Sequence, residues 1–310
     1  MPSRYKLRLS CASTGFVALL AVGCSAPPPA RQTTRVRDLE SPAARREAAQ
    51  LFWRRADVPD LRGHGYRRIA IAEFVVEFVT AKRELTADLE EYFRQNPGVQ
   101  RPGGAVQNVE VVYPNEYDYP ATLYQLCCDD LKQRGFEVVP AAEVARAAAY
   151  QRFEVEPEDK TVELKDTDVG PSDTGRVRRL SLRSLPGLSI IRGAGDQAFE
   201  AAAEALRREL HADVVLCVRV RAGTFSGHAT LERGSRVRVV APDVAGTLSA
   251  ERSLVSEEWV VAESRAVLGG WQLRVNLPKY QRAVAALFPV YIAMAFDSAE
   301  SAPHAAAGGP

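Results

Sequence analysis

Hydrophobic positions recur along this chain with three different spacings, and each spacing predicts a different element. The nearly continuous run RRIAIAEFVVEFV, at 67–79, is β-branched and aromatic and predicts a central strand. Spacing of four marks helices. Leu123, Cys127 and Leu131 share one face of a segment that opens at Pro120 and closes at Gly135. FEVVP, at 136–140, follows as a short strand, and Ala141–Phe153 as an alanine-rich helix with Val144 and Ala148 inward. Phe199, Ala202, Ala203, Leu206 and Leu210 form another apolar helix face, with Asp196 placed to cap its start. Strict alternation marks the next strands. In 214–221, Val214, Leu216, Val218 and Val220 face one side, opposite Val215, Cys217, Arg219 and Arg221. In 235–240, Val237 and Val239 oppose Arg236 and Arg238. A turn at Asp243–Gly246 leads into TLSAERSLVSEEWVVA, which predicts an antiparallel meander. Leu277-Pro278 opens a last helix, KYQRAVAALFPVYIAMAF.

Weaker patterns fill the gaps. Ser41-Pro42 predicts a helix start, with the helix running to about Arg55 and one face packed. Its arginines (Arg45, Arg46, Arg54, Arg55) and Phe52-Trp53 offer a competing reading as headgroup contacts. Leu85, Leu89 and Phe93 suggest a helix over Thr86–Gln95, and VQNVEVVY, at 106–113, a strand. Residues 154–192 are charged and punctuated by Pro and Gly, acidic first and basic later, which predicts a long surface insertion with room for short strands. The expected fold class is α/β: a mixed sheet of about five to six strands, helices packed mainly on one face, and an antiparallel meander in the C-terminal half. It forms a single domain at 41–297 carrying the insertion, followed by a disordered tail at 298–310.

The first residues change the picture. Arg4, Lys6 and Arg8 precede an apolar or small stretch, Leu9 to Val22, of secretory rather than membrane-spanning length. Leu19-Leu20-Ala21-Val22-Gly23-Cys24 resembles the lipobox of bacterial lipoproteins. That resemblance implies a signal peptide at 1–23, acylation of Cys24 and a membrane anchor, since each buried CH₂ contributes about 0.8 kcal/mol. Ser25 after the cysteine resembles an outer-membrane address. Ordinary signal cleavage at Cys24-Ser25-Ala26, giving a free periplasmic protein, and an uncleaved cytosolic N-terminus are the competing readings. Residues 24–40, with three consecutive prolines, read as an extended tether.

Without 1–23 the chain carries 37 basic against 39 acidic residues, a charge of −2. That balance argues against general nucleic-acid binding. With Cys11 in the leader and Cys24 acylated, only Cys127, Cys128 and Cys217 remain, which is no disulfide scaffold. Cys127 and Cys128 point about 100° apart on a helix and cannot bridge each other without strain. They read as small core residues, with a bond from either to Cys217 the alternative. His64, His211, His228 and His304 show no metal-ligand spacing. Gly193-Ala194-Gly195-Asp196-Gln197-Ala198 matches G-x-G-x-x-A before a helix, but the next strand ends in Arg219 and Arg221 where a dinucleotide site needs an acid. No nucleophile elbow, zincin motif or Walker loop occurs. Glu257-Glu258 are strand neighbours on opposite faces and make no acid/base pair. No catalytic residue, cofactor or metal is expected.

One polar constellation remains. Arg219, Arg221, Arg236 and Arg238 predict a basic ladder on one face of a two-strand ribbon. Something anionic should answer it: Glu251, the insertion's acids, lipid headgroups or an acidic partner. Internal pairing of a solvated face is the competing reading.

The order of elements also resembles the CsgG-type curli-transport lipoproteins and the related TolB N-terminal-like domains. Ala212-Asp213 stands at the start of the family's apolar strand, and Asp243-Val244-Ala245-Gly246-Thr247-Leu248 at its hairpin motif. Val240-Ala241-Pro242 departs from the usual continuous strand. The resemblance covers roughly 66–153 and 197–297. It implies a mixed α/β sandwich in the periplasm and a ring-like or scaffolding assembly. The secretion-pore members build a barrel from two long hairpins per subunit. Here 154–192 is too charged and GTFSGHATLERG too short to supply them. The expected function is therefore a lipid-anchored, non-catalytic binding or assembly module on the periplasmic side of a bacterial outer membrane. Its partner would be an envelope protein or a second copy of itself. A secretion-channel subunit and a nucleotide- or small-ligand-dependent periplasmic enzyme are the alternatives.

Overall fold

The computed structural model describes residues 33–39, 41–85, 106–113, 119–156, 159–166, 176–192, 197–225, 227–242, 244–267 and 270–300. All lie in one compact unit, Gln32–Pro310. The leader, Cys24, the helix expected at Thr86–Gln95, Asp196 and His304 fall outside the described residues.

The strands in chain order are β1 (Thr33–Arg35), β2 (Trp53–Ala56), β3 (Arg68–Leu85), β4 (Val106–Val112), β5 (Glu137–Val138), β6 (Val155–Glu156), β7 (Asp159–Asp166) and β8 (Arg176–Ser184). They continue with β9 (Ile190–Ile191), β10 (Val214–Phe225), β11 (His228–Leu231), β12 (Arg236–Ala241), β13 (Val244–Ala250), β14 (Ser253–Trp259), β15 (Val261–Val267) and β16 (Gly270–Val275). The α-helices are α1 (Pro42–Phe52), α2 (Tyr119–Gln133), α3 (Ala141–Arg146), α4 (Gln197–Glu209) and α5 (Leu277–Glu300), with 3-10 turns at Val36–Leu39 and Ala148–Arg152.

One mixed sheet holds 14 strands, with the central order β1-β14-β11-β10-β3-β4-β16-β15. The expected sheet of five to six strands is thus wrong, and the protein is richer in strand than in helix. Three corrections explain part of the difference. The segment read as an insertion forms β6 to β9: β7 and β8 join the sheet, β8 pairing antiparallel with β3 from Val75 to Ala81, while β6 and β9 pair with each other in a separate two-stranded sheet. The end of the expected tether forms β1, parallel to β14. The last turn of the first expected helix is strand instead: α1 ends at Phe52, and Trp53–Ala56 pairs with β13. Phe52 and Trp53 are buried, so neither is a headgroup contact.

Two further expectations are corrected. The C-terminal strands do not run as one meander. β13 pairs with β12 and β2, whereas β14 crosses to pair with β11 and β1. Helix 141–153 breaks at Ala147, whose extended backbone ends α3. The Glu209 carboxylate accepts from Ala148 N and Ala149 N, both at 2.7 Å, and so starts a separate 3-10 turn. Ala148 therefore points outward, and Ala147 and Ala149 are the buried residues.

β3 organises the two faces. Its Ile71 lies opposite Leu216 of β10 and its Glu73 opposite Cys217, so Ala72 is an extra residue, a β-bulge. Beyond it Phe74, Val76 and Phe78 face the larger core. There Phe74 meets Tyr124 of α2 and Phe288 of α5, at 5.6 and 6.3 Å between ring centres. Glu73, Val75, Glu77 and Val79 face the other side. Val75 and Val79 pack with Leu180, Leu182 and Ile190 of the former insertion in a second, smaller core. α4 also lies on this side, as the contact of its Phe199 and Glu200 with Arg238 shows. Helices thus cover both faces rather than mainly one. α5 keeps Pro289 inside it and extends through Ser298, beyond the expected domain end. No helix among the described residues is long and apolar enough to cross a membrane.

Candidate functional site

The four arginines of the expected ladder do lie together, on the β3 face that carries Glu73 and Glu77. β10 alternates, so Cys217, Arg219 and Arg221 point one way. Antiparallel pairing sets Arg236 of β12 opposite Arg219, and Arg238 opposite Cys217. Parallel pairing on the other flank sets Glu73 opposite Cys217 and Glu77 opposite Arg221. The acids that answer the ladder therefore come from the most apolar strand of the chain.

The pairing is specific. Arg219 donates from Nε and Nη2 to the two carboxylate oxygens of Glu73, at 2.9 and 2.7 Å. Arg221 donates from Nε and Nη2 to Oε2 of Glu77, at 3.1 and 2.9 Å. Both carboxylates are buried, so each needs its guanidinium. Glu73 also accepts the Ile191 N–H at 2.7 Å, which ties β9 to the sheet. Burial pushes the Glu73 carboxyl up, against the Arg219 contacts that pull it down. Burial likewise pushes the Cys217 thiol well up, which disfavours the thiolate.

Arg238 and Arg236 differ from that pair. Arg238 donates to Glu200 at 2.9 Å and stacks over Phe199, 4.6 Å from the ring centre. Its Nε is buried without a hydrogen-bond partner. The Arg236 side chain is 51% exposed, and its carboxylate contact is Glu77 at 4.0 Å, an acid already taken by Arg221. Around Arg236 and Arg238 lies a cleft of about 320 Å³, lined also by Glu73, Glu156, Arg192, Cys217, Arg219 and Thr247. Arg192 meets Glu156 at 3.4 Å and leaves most of its side chain exposed. Of the lining acids, Glu73 meets Arg219 and Glu156 meets Arg192, while Arg236 shares its nearest carboxylate, Glu77, with Arg221.

The other candidates do not join this site. Glu251 meets Arg54 at 3.4 Å, not the ladder. Glu257 pairs with Arg35 and Glu258 with Arg282, on separate sides of β14. Cys127 and Cys128 are buried in α2, and these two and Cys217 are all free. No group of metal-binding residues forms among the described residues. Gly193–Asp196 and Cys24 fall outside those residues. The Ala212-Asp213 motif serves the fold, because the Asp213 carboxylate accepts Arg67 N and Arg68 N at 2.7 and 2.8 Å, where β3 begins.

Sequence reasoning passed over Glu73, Glu77, Glu200, Arg192 and Thr247. For the first two a signal existed. A charge inside a strand buried on both faces requires an opposite charge on a neighbouring strand. Glu73 and Glu77, four apart, point to the same face. Comparison with protein-family models, curated proteins and solved structures finds no match to this chain.

Proposed function

We propose that the chain is a lipid-anchored lipoprotein of a bacterial cell envelope, with a non-catalytic binding or assembly module facing the periplasm from the outer membrane. The observation that carries this reading is the run Leu19–Cys24, an apolar stretch ending in small residues and a cysteine. Strand β1 starts at Thr33, about nine residues beyond Cys24, and nine residues reach roughly 30 Å at most. The arginine face supports binding over catalysis. Its buried carboxylates are each held by two guanidinium hydrogen bonds, and its thiol is held protonated by burial. Such groups position charge rather than move protons. The resemblance to CsgG-type lipoproteins agrees with an envelope location and with a partner that is an envelope protein or a second copy.

Metabolic labelling with palmitate tests the anchor. The wild-type chain should take label and fractionate with membranes, and Cys24→Ser should do neither. Label on the Cys24→Ser chain would overturn the reading.

A further inference from the structure

The cleft beside Arg236 is built around fixed charge, and its ligand chemistry follows from its donors. Arg219 and Arg221 are neutralised by carboxylates beneath them, and Arg238 by Glu200. Arg236 keeps a charge that Glu77, at 4.0 Å and shared, only partly offsets. Three groups with donor capacity line the same space from three segments: Arg192 after β9, Arg236 on β12 and the Thr247 hydroxyl on β13. Among the described residues Thr247 makes no side-chain hydrogen bond, and the Arg192 and Arg236 side chains are 62% and 51% exposed. A volume of about 320 Å³ suits a small molecule or a headgroup. A carboxylate offers two oxygens in one plane, which one guanidinium satisfies. A terminal phosphate offers three oxygens and a charge of about −1.5 to −2 at pH 7. Donors from three segments, two of them adjacent strands, supply enough hydrogen bonds for those oxygens.

We propose that this cleft binds the terminal phosphate of a small phosphorylated molecule or of a phosphatidic-acid-type headgroup, held by Arg192, Arg236 and Thr247. The inference adds a ligand to the binding module but rests on the cleft alone. Failure of acylation at Cys24 would leave it standing. The buried pairs serve as its floor: because Glu73 and Glu77 are already occupied, they do not compete for Arg236 when the anion enters.

The test uses the full chain extracted in detergent, followed by thermal unfolding at matched ionic strength. Sodium phosphate should raise the midpoint by about 3 °C or more over sodium chloride at saturation, as a ligand that binds only the folded state must. Arg236→Gln should abolish the rise, and Arg54→Gln, an exposed arginine on β2, should keep it. Because Arg236 is half-exposed, the variant should fold normally. The source of the phosphate is read from two further probes. A rise with glycerol 3-phosphate identifies a soluble ligand. A rise only when short-chain phosphatidic acid is doped into the micelle identifies a headgroup. If no probe produces an Arg236-dependent rise, or if acetate stabilises as well as phosphate does, the assignment is wrong.

Discussion

His228 shows how one side chain carries a pH response. Its ring meets Trp259 edge-on at 5.7 Å, its Nδ1 is buried without a hydrogen-bond partner, and Arg35, Glu257 and Glu258 lie nearby. Burial, and then the Arg35 charge, hold its pKa below the usual 6.5. Below 6.5 the unfolded chain takes up a proton that the folded chain refuses. The stability due to neutral His228 is therefore full above that pH and is lost as pH falls through the lowered folded value. His228→Phe keeps a ring against Trp259 and removes the titration. The midpoint of unfolding should drop less between pH 8 and pH 5 in His228→Phe than in wild type. Equal drops would assign the acid sensitivity elsewhere. At this scale period-two alternation made Arg219, Arg221, Arg236 and Arg238 legible as one face. Their answering acids left a signal, two charges four apart in an apolar run, but which strand answers them is set by long-range pairing. The bulge at Ala72 decides which face they join, and nothing in the local sequence announces it.

Elements here are fastened at their ends by single side chains. Arg134, just past α2, donates to Asp130 at 2.8 Å, to the Ala293 carbonyl at 3.1 Å and to Asp297 at 2.9 Å, clipping α2 to the end of α5. Glu209 starts the 3-10 turn that the alanine-rich pattern had read as continuous helix, since Ala147 to Ala149 carry no local signal for a break. Asp213 is the third case. It holds the first amides of β3 while its own N–H donates to the Arg68 carbonyl at 2.7 Å, so it sets the start of the β3–β10 register. Asp213→Ala should cost about 2 kcal/mol by urea unfolding, with an unchanged slope. Asp213→Asn, which keeps an acceptor oxygen, should recover part of that loss. A loss below about 0.5 kcal/mol would show that water replaces the carboxylate freely. The helices at 119–133 and 197–209 were legible because their apolar positions recur at helical spacing over several turns, and the one at 277–300 because a long apolar run follows Leu277-Pro278. Short strands such as β1 and β2 were not, because three or four residues carry no period, whereas β5 was legible from the apolar FEVVP between two helices.

The whole molecule departs most from its sequence pattern at 154–192. Charge and Pro/Gly punctuation there resemble a surface loop, yet β8 lies along β3 and completes its second face. Alternation is present in β8, where Leu180 and Leu182 point inward between polar neighbours, but it spans few positions. Its meaning depends on a partner strand a hundred residues away. Without β8, Val75 and Val79 would lie against water and the acids Glu73 and Glu77 would lose the low-dielectric surroundings that make their arginine pairs specific. The segment thus supports the cleft from behind, with Ile191 bonded to Glu73 as the link. Leu180, buried between Val75, Val79 and Ile190, gives the decisive measurement. Were 154–192 an appended surface loop, Leu180→Ala would change stability by no more than about 0.5 kcal/mol. As part of the core it should cost about 2–4 kcal/mol by chemical denaturation, the range for emptying a packed leucine site. Phosphate stabilisation should survive in Leu180→Ala at temperatures where the chain is still folded, because Arg192, Arg236 and Thr247 remain. A full-sized loss of stability with the phosphate response intact would separate the scaffold on this face from the charge it holds.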